Sequence, residues 1–149
     1  MKAHNTIDEL FSEAIKLRNC GKLDLAKDKL FNITLIYPQD DLLFGVYVIL
    51  GGILSDQGLF GQALKRFKKS LELKPDYELA SLGIYLLYIE LEEYDRAIRA
   101  LDEFLSEYPA DLYKTTLEEL ITDLRNGYAR DHESVIIRQA RNHGVSIID

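Results

Sequence analysis

The sequence predicts an all-α fold built from tandem helix–turn–helix units, each an antiparallel pair. Aligned on its prolines, the chain reads AKDKLFNITLIYPQD, ALKRFKKSLELKPDY and AIRALDEFLSEYPAD, with Ala twelve residues before each Pro and an apolar residue eight before it. Ala26, Ala63 and Ala97 therefore correspond, as do Leu30, Phe67 and Leu101, and Pro38, Pro75 and Pro109. The intervals between prolines are 37 and 34 residues, and the surplus fits an insertion near residues 39–43. Upstream of each Ala, a second apolar helical pattern stops at a short break: Asn19-Cys20-Gly21, Asp56-Gln57-Gly58 or Glu92-Glu93. Apolar residues recurring at helical spacing on both sides of such breaks are the signal of paired amphipathic helices.

The units run about 7–40, 44–77 and 78–111. Two helices approach closely only where small side chains meet at the crossing, a role that fits Ala14, Gly51, Ala63 and Ala97. Proline closes each second helix because it cannot continue one and disfavours helical backbone in the residue before it. Asp40, Asp76 and Asp111 follow and suit the N-caps of the next helices. In the stretch GLFGQALKRFKKSLELKPDY, residues Phe60, Ala63, Leu64, Phe67, Leu71 and Leu73 form the side turned inward, and Lys65, Arg66, Lys68 and Lys69 face water. After Pro109, DLYKTTLEELITDLRNG keeps the helical period through Leu112, Leu117, Leu120, Ile121 and Leu124 and stops at Gly127, which reads as a capping helix over 112–127. A short helix and tail occupy 131–149, with Asp131 as N-cap, Gly144 as stop and Val135, Ile136 and Ala140 on one side. This segment has three destinations open to it: the capping helix, a second chain, or the molecule's own groove. The 149 residues read as a single domain.

Composition narrows the function. A hydrophobic share of 47% and a charged share of 29% are those of a globular protein. Cys20 is the sole cysteine, which excludes an intrachain disulfide and a cysteine zinc site. The opening MKAHNTIDELFSEA carries acids where a secretory signal needs an apolar core, and the longest apolar run, Leu42 to Leu54, contains three glycines and falls short of a bilayer span. The expectation is a cytoplasmic protein without membrane insertion. A net charge of −7 argues against nucleic acid as a partner. His4, His132 and His143 are scattered, with no acid at metal-ligand spacing, and neither a phosphate-binding glycine loop nor a nucleophile elbow occurs. No cofactor, no metal and no enzymatic activity are expected.

The middle unit, with Tyr47, Leu50-Gly51 and Leu54 on its first helix and Ala63, Phe67 and Pro75 on and after its second, resembles the tetratricopeptide repeat, a helix pair of about 34 residues. The third unit keeps the spacing with Ser81, Ile84-Tyr85, Tyr88, Ala97, Leu101 and Pro109, but carries Tyr where the family has Gly. The first, with Leu10, Glu13-Ala14, Leu17, Ala26, Leu30 and Pro38, is the most divergent, and Glu13 takes an apolar position. The resemblance implies a right-handed superhelix of antiparallel helix pairs, an α-solenoid whose first helices line a concave groove for a protein or peptide partner. Carried over by register, the partner-binding residues are Phe11 and Ile15, then Val48, Ile49 and Gly52, then Leu79, Leu82, Leu86 and Ile89. Almost none is charged, so the basic clamp that some members use for acidic chaperone tails is missing. The implied function is a small chaperone or adaptor holding an apolar segment of its partner. The alternative is an assembly or immunity-type protein acting as a homodimer or through its acidic surface, its groove filled by its own C-terminal segment.

Overall fold

The computed structural model describes residues 6–148 and contains, among them, eight α-helices and no strand. His4 and Asp149 lie outside the described residues. The chain divides into two compact units, Met1–Pro75 and Asp76–Asp149, with the boundary at the second repeat proline.

In the first unit α1 (Ile7–Asn19) packs on α2 (Leu23–Ile36), α3 (Leu43–Asp56) packs on α4 (Phe60–Leu73), and α2 also meets α3. The turns inside the pairs are three residues long, so the paired helices run antiparallel. Gly21 and Gly58 adopt φ of +78° and +77°, the left-handed backbone that lets a helix close on its own last carbonyls. Lys22 N–H then donates to Leu17 O and Leu59 N–H to Leu54 O, each at 2.9 Å. The same closure recurs in the second unit, where Glu92 takes the left-handed conformation without being glycine.

The small residues expected at the crossings, Ala14, Gly51, Ala63 and Ala97, are all buried. Ala14, Ala26 and Ala63 are fully buried, with Leu30, Ile33 and Leu50 filling the layer around them. Truncating such a leucine to alanine typically costs about 2–5 kcal/mol. Glu13, the odd residue of the first unit, reaches Lys29 at 2.5 Å, so an ion pair between α1 and α2 replaces the apolar contact. Gln57 ties the end of α3 to the start of α2, accepting from Lys27 and donating to Asp24, both at 3.0 Å.

Two expectations about charge are corrected. Arg66 does not simply face water: its guanidinium lies 4.9 Å from the Phe31 ring centre and half-buried, a cation–π contact between α4 and α2. The aspartates after the prolines are not side-chain N-caps of α3, α5 or α7, whose capping positions are Leu42, Tyr77 and Leu112. Asp40 instead accepts from Leu42 N–H at 2.8 Å, leading the chain into α3. At α7 the Glu78 carboxylate takes over, accepting from Asp111 N–H at 2.7 Å and also from Leu112 N–H.

In the second unit α5 (Glu78–Glu90) packs on α6 (Tyr94–Leu105), and α7 (Tyr113–Arg125) packs on α8 (Glu133–Asn142), which also meets α6. The expected capping helix therefore has a partner of its own, and the two form a fourth antiparallel pair. Tyr113 is wholly buried, its hydroxyl 2.8 Å from Ser81 Oγ, and its ring stands edge-on to Tyr85 with centroids 6.1 Å apart. Tyr85 occupies the place of the family glycine, and its ring packs against α7 through Tyr113.

Polar anchors hold α8 in place. Gln139 donates to Asp102 at 2.7 Å and to Ser106 at 3.0 Å, and Arg138 donates to Asp102 at 2.5 Å. Beyond the helix, His143 accepts on Nδ1 from Ala110 N–H, which leaves Nε2–H to donate to Leu105 O at 2.9 Å. Gly144 stops α8 with φ of +71°, as its sequence position suggested. Asp131 does not cap it; that position is His132.

Candidate functional site

The connection from α7 to α8 is longer than the turns inside the other pairs. It spans residues 126–132, passes through a left-handed Ala129 (φ 56°) and ends in a single 3-10 turn, Arg130–His132. This connection, α5, the start of α6 and α7 together enclose an open cleft of about 700 Å³ within the second unit.

Its inner lining is apolar. Tyr85, Leu86 and Ile89 come from α5, Ile98 from α6 and Leu120 from α7. Tyr85, Ile98 and Leu120 are buried; Leu86 is 54% exposed. An exposed leucine above a buried apolar layer presents surface that water solvates poorly. The outer lining is polar and mostly acidic: Asp95 at the start of α6, Glu119 and Asp123 on α7, and Asp131, with Arg130 and His132 as the basic groups. His132 Nε2 lies 3.1 Å from Asp95 Oδ1, pinning the connection to α6. Burial, joined by the negative fields of Glu119 and Asp123, pushes the Tyr85 hydroxyl up to about 12. Nothing in this arrangement aligns a nucleophile with a base. No group of three or more metal-ligating side chains occurs among the described residues.

The nine residues expected to bind a partner fall into four classes. Leu86 and Ile89 line the cleft. Leu79 is exposed and Leu82 half-buried on the same helix, outside the cleft lining. In the first unit Phe11 and Ile15 on α1 and Ile49 and Gly52 on α3 are half-buried, and a Cβ at Gly52 would meet nothing within 4 Å. Phe11 extends toward α3, its Cζ 3.8 Å from where a Cβ on Gly45 would stand. Val48 is corrected: only 5% exposed, it packs the interior and offers no surface. Residues 134–141, part of the C-terminal segment that the alternative reading puts in the groove, do not line this cleft. They belong to α8, anchored on α6 and α7.

The tetratricopeptide repeat family model matches residues 54–120, from the end of α3 into α7. This stretch is of the tetratricopeptide repeat type. A solved tetratricopeptide repeat protein from Parabacteroides merdae ATCC 43184 superposes with a TM-score of 0.73 at 18% identity, over 91% of this chain and 51% of that one. This chain thus spans about half the length of that structure, and the likeness shows the fold, an all-α solenoid of repeat type. No curated protein matches significantly. The matched stretch contains the α5 and α6 walls of the cleft with Glu119 and Leu120 of α7, while Asp123 and the 126–132 connection that completes the cleft lie beyond it. Tetratricopeptide repeats are in general protein-interaction modules. Among the described residues no helix is long and apolar enough to cross a membrane.

Proposed function

We propose that the chain is a small chaperone or adaptor that holds an apolar segment of a protein partner on the first helices of its repeats. The observation that carries this reading is the cleft: Leu86 and Ile89, placed on the binding face by repeat register, line an open apolar space that no side chain of α8 fills. Phe11, Ile15, Ile49 and Gly52 give the first unit a comparable apolar face, with room above Gly52. Leu79 and Leu82 extend the α5 face toward its start. Proteins seldom leave such surface uncovered unless something docks there.

The test is a pull-down from the cells that make the protein, comparing the wild type with Leu86→Glu and with Leu82→Glu/Leu86→Glu. A stoichiometric partner held by the wild type should be lost from both variants while their helical circular dichroism is kept. Because Leu86 is 54% exposed, the single variant guards against unfolding. Undiminished capture by a folded Leu86→Glu variant would remove this face from the binding site.

A further inference from the structure

We infer that the segment taken by the second-unit cleft is basic as well as apolar, an aliphatic or aromatic side chain with Lys or Arg close by in sequence. This rests on the reading that the cleft binds a partner, and it names that partner's chemistry. Glu119 and Asp123 stand four residues apart on α7, hence one turn apart on one face, and both line the cleft. Among the described residues neither is paired with a cation, whereas Asp95 is already engaged by His132. Both reach the cleft interior electrostatically, since they help hold the buried Tyr85 hydroxyl in its protonated form.

An apolar side chain seated on Leu86 and Ile98 brings its neighbours against these carboxylates. A neutral neighbour would strip them of water with nothing in exchange. An acidic neighbour would be repelled. A lysine or arginine would complement them, and Arg130 is the opposing charge on the rim that such a ligand must pass. The net charge of −7 adds a long-range attraction of the same sign.

The experiment uses the full chain and three short synthetic peptides: leucines and lysines at helical spacing, and the same peptide with every lysine replaced by glutamine or by glutamate. Binding is read by fluorescence anisotropy and by methyl NMR shifts of Leu86, Ile89 and Ile98. The lysine peptide should shift these methyls, and its affinity should fall about tenfold for Glu119→Gln/Asp123→Asn, whose thermal melt should match the wild type. Its affinity should also fall as salt rises toward 1 M, where screening acts within about 3 Å. The glutamate peptide should not bind. Equal affinity of the lysine and glutamine peptides, unchanged by the double substitution, would overturn the basic partner and leave the apolar one standing. No methyl shift from any peptide would overturn both. Concentration-dependent self-association that the double substitution abolishes would make a second copy of this chain the occupant, and would overturn the proposal too.

Discussion

Gly51 and Gly52 are neighbours on α3 with opposite surroundings. A Cβ on Gly51 would stand 2.9 Å from Cδ1 and Cε1 of the buried Phe67 ring, whereas one on Gly52 would meet nothing within 4 Å. Alanine improves helix propensity equally at both sites, by about 0.5–1 kcal/mol. Packing must therefore decide the sign. Gly51→Ala should lower stability by about 1–3 kcal/mol, as overpacking a tight crossing does, and Gly52→Ala should hold or raise it by up to about 1 kcal/mol. Chemical denaturation of the two variants checks this. Equal stabilities would mean that the α3–α4 crossing is looser than the Phe67 contact indicates. The role of Gly51 was legible in the sequence, because it follows Leu50 at the family spacing. The burial of Val48 was not: register assigns residues to a helix face, but nearby apolar residues on one face share it unequally between core and surface.

At the scale of elements, the helix pairs were legible because period, small residue and proline all repeat. What joins and ends them was not. The aspartates after the prolines have the chemistry of caps, yet Glu78 rather than Asp111 satisfies the N–H groups of Asp111 and Leu112, through a contact more than thirty residues away in sequence. The pairing of α8 was left open among the capping helix, a second chain and the groove for the same reason. Its anchors, Gln139 and Arg138 on Asp102, are polar, and a hydrophobic pattern does not report them. Burial would by itself raise the Asp102 carboxyl, but hydrogen bonds from Gln139, Arg138 and Ser106 and the Arg138 charge hold it below the usual range. A carboxyl whose folded value lies below its unfolded one contributes stability above the unfolded value, and loses it as pH falls through the folded value. Melting of the wild type and of Asp102→Asn should therefore differ at neutral pH, with the gap closing below about pH 4. A gap independent of pH would show that the Asp102 charge does not hold α8.

At the scale of the whole molecule, each compact unit is two helix pairs sharing an interior, because one pair alone cannot cover its apolar side. The proposed binding face follows from that construction. First helices supply apolar surface at register positions, which is why Leu86 and Ile89 could be named from sequence. The rest of the cleft could not. Tyr128 to His132 have no repeat counterpart, and Glu119 and Asp123 belong to a helix whose expected task was only to end the stack. Gly127 followed by Tyr128 was the available signal, a stop with an exposed aromatic beyond it.

The most direct test of a partner segment held against α5 is amide hydrogen exchange of the full chain, alone and with its captured partner. New protection should appear in residues 85–89 and across the 126–132 connection, with α4 unchanged. Protection confined to the charged face of α4, with α5 and the connection exchanging as in the free chain, would contradict it.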